Sequence, residues 1–432
     1  MDLIVALLLI FVSAKLAGEA FERMRQSPMI GEVLAGIVLG PALLVLVNPD
    51  PATDLGASLR IVADLGVLVL VLLAGMELGR EGLSRAFHER SFVVAVVEFV
   101  FPFALGLLLA QAMGLSFVQS VFLGTAMAVT ALPVSVRILM DLNLLHSRLG
   151  RAIVSVALVN DLVAFAMLGL VIALGQAGSA SPDPGVLGWI LGKTLLFVGL
   201  VFSVEMVLRR TMQADGNGDS RIRRFIRSMK GQESAFAFGI AIALLLGAAA
   251  EAAGIHFAVG VFYGGILITP KMVGREEFNR IRNSVSAVTL GLLAPIFFAF
   301  VGLNVALNFE SWPLILLVTG VAFAGKFLGG LIGGAAAGFR GAPLLALGVG
   351  LNARGMMELL LAQVGLATGI IGPDIYSALI VMTLVTTLTA PPLMKRLLRR
   401  FKVEDVLPST EHLEASVPAA KAMASSEGRQ RP

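Results

Sequence analysis

Apolar runs about twenty residues long follow one another through nearly the whole chain, and that spacing leaves little choice of fold. A helix of about 20 residues crosses a hydrocarbon layer about 30 Å thick while satisfying its own backbone hydrogen bonds. Runs of this kind lie near 2–21, 28–47, 61–79, 91–113, 117–140, 149–175, 187–208, 232–250, 254–270, 285–307, 312–337, 342–370 and 374–397. Of 432 residues, 57% are hydrophobic and 14% charged, where a soluble domain carries about 25% charged. The expected fold class is an all-α polytopic membrane protein of about thirteen transmembrane helices. The first run, MDLIVALLLIFVSAKLAGEAF, lacks a basic leader and a small-residue cleavage site, so it is expected to be a span and not a signal peptide.

The loops set an orientation. Those after odd spans hold Arg23 and Arg25, Arg80, Arg85 and Arg90, Arg148 and Arg151, the stretch Arg209 to Lys230, Lys271 to Arg282, and Arg340. Those after even spans are acidic or neutral, with Arg60 the exception at a span edge. By the positive-inside rule the N-terminus is expected outside and the C-terminus in the cytoplasm. The net charge of +4 is accounted for by this asymmetry, so no nucleic-acid partner is invoked. Residues 1–402 are expected to form the membrane domain, and the polar stretch 403–432 a short disordered cytoplasmic tail. An inverted repeat is expected to relate spans 4–6 to spans 11–13, because both sets contain embedded charges.

Those charges are the chemistry of the chain. Asn160-Asp161 sits mid-span in SVALVNDLVAFAMLGL, and Lys326 and Arg354 sit in apolar runs of the other half. An ionisable group near the bilayer midplane costs about 3 kcal/mol or more, and it marks an ion or proton path by default. Lys326 lies about 14 residues into its span, too deep to snorkel. Asp161 is its expected acid. Arg354 lies among Gly348, Gly350, Asn352 and Gly355, where it either offsets a carbonyl-rich helix break or pairs with Glu358 four residues on. In the fifth span Pro133 removes a backbone donor, and Thr130 just before it offers a hydroxyl to freed backbone groups or to a cation. Glu77 reads as a span-end cap or an ion-funnel acid, and Glu98 has no evident partner. Zero cysteines exclude disulfides and thiolate metal sites. No nucleophile–base pair suggests an enzyme, and no cofactor is expected.

The segments SPMIGEVLAGIVLGP, LGVLVLVLLAGMELG, TAMAVTALPVSVRILMDL, the VND centre, AGIHFAVGVFYGGIL and APIFFAFVGLNV together resemble monovalent cation:proton antiporters of the Kef and NapA type, over about 27–395. The resemblance implies two crossed, broken helices in a core domain (near 91–175 and 312–397), a scaffold domain that dimerises, and elevator-like alternating access. By position it makes Asp161 the ion-binding carboxylate and Asn160 its preceding partner. It places Thr130 at the first break, Lys326 facing the acid pair, and Arg354 in the second crossing helix. Members with two adjacent acids are read as electrogenic and Asn-Asp members as electroneutral. Here Asn160 replaces the first acid while Lys326 is kept. Kef-type chains carry a nucleotide-binding domain that this sequence lacks, so gating of that kind is not expected.

The expected function is exchange of Na+ or K+ for H+ at one carboxylate, in a homodimer of the bacterial inner membrane. Na+ and K+ are hard cations that want oxygen, which Asp161, Thr130 and broken-helix carbonyls offer. Two alternatives use similar parts: a sodium-coupled organic-solute symporter, which needs a roomier polar cavity, and a cation channel, for which no filter-like run is present.

Overall fold

The computed structural model describes residues 2–88, 91–142, 144, 147–176, 185, 188, 192, 199, 203, 206, 234–307 and 309–398. Span 187–208 lies almost wholly outside them, as do the basic loop Arg209 to Lys230 and the tail 403–432. The described residues are helical and contain no strand. In chain order they form α1 (Leu3–Arg23), α2 (Pro28–Leu39), α3 (Asp54–His88), α4 (Ser91–Ala112), α5 (Phe117–Ala128), α6 (Leu132–Asp141), α7 (Arg148–Gln176), α8 (Ser234–Ala252), α9 (Phe257–Leu267), α10 (Pro270–Val273), α11 (Arg275–Val288), α12 (Ala294–Leu303), α13 (Trp312–Ala336), α14 (Gly341–Gly350), α15 (Met356–Ala367) and α16 (Pro373–Leu398). Among the described residues, seven helices are long and apolar enough to cross a membrane, and six shorter apolar ones accompany them.

The short ones explain where simple run-counting fails. The fifth apolar run is two half-helices, α5 and α6, with Val129 and Ala131 in extended backbone between them. Pro133 at the start of α6 removes a donor where a helix can spare it. The twelfth run splits the same way into α14 and α15 around a break at 351–355. The second run stops at Leu39 rather than near 47, because Gly40 is extended and Pro41 follows it. The tenth begins earlier than its apolar stretch, as the charged α11, and passes through a π-turn at Thr289–Leu293 into the buried α12.

The helices pack in two groups. One contains α1, α2, α3, α8, α9 and α12, and the other contains α4 to α7 and α13 to α16. Glycine sets the contact distance in both. A Cβ on Gly36 or Gly302 would fall on backbone across the α2–α12 contact, and one on Gly75 or Gly265 would do so between α3 and α9. With no hydrophobic drive between helices in lipid, such close backbone approach supplies much of the packing energy. The groups meet where α7 lies against α3 and α9. There Phe165 stacks on Phe262 with ring centroids 4.0 Å apart.

Within the second group the same plan occurs twice. A long helix (α4), a broken helix (α5/α6) and a long helix (α7) are matched by α13, α14/α15 and α16. The two breaks touch: the Ala131 amide donates to the Ala353 carbonyl at 3.1 Å.

Candidate functional site

A stripe of glycines brings the first pair of charges together. Gly325, Gly329 and Gly333 recur every four residues on α13, and Cβ atoms there would meet Pro102, Glu98 and Val94, the matching stripe of α4. Side chains four apart share a helix face, so the two helices lie backbone to backbone along that seam. Lys326, beside Gly325, therefore reaches Glu98 and forms an ion pair with it, both side chains having no solvent exposure. Pro102 adds to the geometry, since a proline inside α4 leaves the carbonyl of residue 98 without its helical donor.

Both oxygens of Glu98 are occupied. Oε1 accepts from Lys326, and Oε2 accepts from the Asn160 amide at 2.7 Å. The Thr130 hydroxyl closes the cluster. Its oxygen accepts from Lys326 and, at 3.2 Å, from Asn160. Its proton has two acceptors in reach, Glu98 Oε1 at 2.9 Å and the Leu351 carbonyl at 3.1 Å. With two donors on it, the hydroxyl has no lone pair left for a cation. The hydroxyl thus ties both helix breaks to the Glu98–Lys326 pair.

The second pair lies across the break. Arg354, wholly buried, forms the i,i+4 ion pair with Glu358. Its two terminal nitrogens also donate to the carbonyls of Ala126 at 2.9 Å and Met127 at 2.8 Å, in the last turn of α5. Helix C-termini leave carbonyls unpaired and carry partial negative charge, so the guanidinium satisfies both. The two readings of Arg354 left open by the sequence are thus both realised in one side chain.

Asp161 stands apart. It follows Asn160 on α7, and successive helical residues point about 100° apart. When Asn160 faces Glu98, Asp161 is turned away from Lys326. Its Oδ1 is buried without a hydrogen-bond partner among the described residues, as is Asn160 Oδ1. α3, the helix that carries Glu77, packs against α7 on this side. The expected Asp161–Lys326 pair is therefore replaced by Glu98–Lys326.

The transmembrane model of the sodium/hydrogen exchanger family matches residues 6–400. The chain belongs to that family. As an exchanger it is 31% identical to the Na+/H+ antiporter NhaS4 of Synechocystis sp., over 91% of this chain and 97% of that one. It is 27% identical to the Na+/H+–K+ antiporter GerN of Bacillus cereus, over 90% and 94%. Its fold is similar to that of the sodium proton antiporter MjNhaP1 of Methanocaldococcus jannaschii, with a TM-score of 0.69 at 17% identity, covering 91% and 97% of the two chains.

In this exchanger the fold collects Thr130, Asn160, Lys326, Arg354 and Glu358 around the two touching breaks. It leaves Asp161 beside them, and Glu77 on the α3 side facing α7. Glu98, an embedded acid with no partner evident from the sequence, is the acid of Lys326. Its one signal lay in the sequence all the same: Glu98 and Pro102 repeat at the four-residue interval of Gly325 and Gly329.

Proposed function

We propose that this chain is a secondary active antiporter that exchanges Na+ or K+ for H+ across the membrane, with Asp161 as the exchange carboxylate. One observation carries the reading. Among the described residues of the breaks and their neighbouring helices, Asp161 is the buried carboxylate without a cationic partner, since Glu98 and Glu358 each have one. An uncompensated carboxylate in an apolar core is costly. A proton or a monovalent cation removes that cost, and the two exclude one another at one group. Only the neutralised core crosses the apolar barrier cheaply, so exchange is obligatory without a separate coupling device. Asp161 Oδ1 and Asn160 Oδ1 are the oxygens free to meet the cation. With Lys326 and Arg354 keeping their charges, one proton moves against one cation and the cycle is electroneutral.

The family and the printed activities of NhaS4 and GerN support this cargo class. The two packing groups support a core domain, near 91–175 and 312–397, that moves in an elevator-like way against a scaffold inside a membrane domain of 1–402. We place the protein in a bacterial inner membrane as a homodimer, N-terminus outside and the tail 403–432 in the cytoplasm, in accord with the basic loops.

The test uses proteoliposomes containing a pH dye, to which Na+, K+ or Li+ is added with the membrane potential clamped and then unclamped. Cation-triggered proton movement insensitive to potential is expected, and Asp161→Asn abolishes it while leaving the protein folded. Substantial exchange by the Asp161→Asn protein sinks the assignment. No proton movement with any cation favours a symporter or a channel.

A further inference from the structure

We infer that Asn352, in the second helix break, supplies a neutral oxygen to the transported cation and helps set which ion is preferred. The inference rests on Asp161 as the exchange site and adds a specificity-determining residue to it.

The two breaks place a polar side chain at the same point. Thr130 is the second residue past α5, and Asn352 is the second past α14. The alanines that follow them, Ala131 and Ala353, are joined by the hydrogen bond between the breaks. The Thr130 hydroxyl is committed to Glu98, Asn160 and Lys326. The Asn352 amide is committed at one end only.

Asn352 is wholly buried. Its backbone amide turns to the Val349 carbonyl, which leaves the Gly348 carbonyl, in the last turn of α14, without its usual helical donor. The side-chain nitrogen fills that place, donating to Gly348 at 2.9 Å. A carbonyl only accepts, so the nitrogen has to face it and the oxygen has to face the other way. That oxygen, Oδ1, has no partner among the described residues. A buried amide oxygen left so is costly, and it calls for water or an ion.

The same logic fixes Asn160. Its nitrogen faces the Glu98 carboxylate and the Thr130 hydroxyl, so its unpartnered Oδ1 is turned away from the cluster. The two asparagines are neighbours. The Thr130 hydroxyl accepts from Asn160 at 3.2 Å and reaches the Leu351 carbonyl, one residue before Asn352, at 3.1 Å. α7 packs on both α14 and α15. With Asp161 Oδ1 this makes three unpartnered buried oxygens beside the breaks, one on a carboxylate and two on amides. A fourth, Glu358 Oε2, belongs to an acid already paired with Arg354. Oxygens of this kind suit a hard monovalent cation: the carboxylate matches its charge, and the amides replace part of its water shell. Both amides are anchored through their nitrogens, so the spacing of the oxygens is held and ions of different radius bind unequally.

The test compares Asn352→Ala, which loses both the oxygen and the bond to Gly348, with Asn352→Ser. A serine hydroxyl can donate back to Gly348, as Thr383 does to Leu379, and so restores that bond without the amide oxygen. Apparent KM for Li+, Na+ and K+ is read from cation-triggered proton flux in dye-loaded vesicles. Both variants are expected to raise it by about ten-fold for the preferred ion and by less for the others. Wild-type KM values for all three ions in Asn352→Ser overturn the proposal, and so does an equal rise for all three, which marks a packing role only. If Asn352→Ala does not fold, Asn352→Ser decides. If the serine variant is folded but silent, the cation concentration that raises its melting point in detergent is measured instead. A concentration equal to that of the wild type overturns the proposal, and a higher one supports it. Asp161→Asn runs alongside. Exchange by Asp161→Asn sinks the exchange site itself, whereas a silent Asp161→Asn beside an unchanged Asn352→Ser sinks only the part of Asn352.

Discussion

The two helix–broken helix–helix units share a backbone plan and differ in charge. The first, α4 to α7, buries Glu98 and Asp161, both acids. The second, α13 to α16, buries the bases Lys326 and Arg354 and the acid Glu358. Bringing the units together leaves one negative charge in surplus. Packing then decides which carboxylate carries it: Glu98 takes Lys326, Glu358 takes Arg354, and Asp161 is left over. The difference teaches that a matched pair of backbone plans need not carry matched charge, and that the surplus falls on the carboxylate proposed as the exchange site.

The sharpest way to break this comparison is to remove the surplus. Asp161→Asn is expected to lower cation-triggered proton flux by about a hundred-fold or more, consistent with losing the one group that titrates in the cycle. Arg354→Ala comes next, as a loss of stability. It strands Glu358 and two carbonyls of α5, and breaking a buried pair from one side costs about 3–5 kcal/mol. Thermal unfolding in detergent measures it, and a melting point close to the wild type means the pair does not hold the breaks together. Thr130→Val keeps the shape but deletes the hydroxyl under Lys326 and Asn160, at a cost of about 1–3 kcal/mol. Thr130→Ser should restore most of it. If Thr130→Val instead leaves stability intact and weakens only the apparent cation affinity, Thr130 is an ion ligand after all. Glu77→Gln is the mildest. It removes a carboxylate from α3, the helix packed against α7, and a change on the order of a few-fold in apparent cation affinity is expected, with exchange retained.

Much of this was legible in order of residues. Hydropathy placed the helices of the described residues in outline, and Pro133 with Thr130 and the glycines around Arg354 mark both breaks in the sequence. The i,i+4 spacing of Arg354 and Glu358 announced a pair that helix geometry makes nearly unavoidable. Other features were not legible. The second helix ends before its apolar run does, because apolar residues continue past Gly40 although the helix does not. A hydroxyl near a break suits either an ion or the backbone, and the sequence does not show that Glu98, Asn160 and Lys326 converge on that of Thr130.

What the sequence alone determined is whatever depends on local spacing: a helical membrane chain with two breaks among its described helices and a carboxylate buried in the middle. What the tertiary structure decided is which charges meet. Glu98 and Lys326 are 228 positions apart, and their pairing depends on how α4 and α13 rotate about their own axes once the glycine seam closes. The same rotation sends Asn160 into the cluster and its neighbour Asp161 out of it. A turn of about 100° between adjacent residues separates the residue that completes the neutral cluster from the buried carboxylate left without a partner there, and no pattern along the chain specifies that angle.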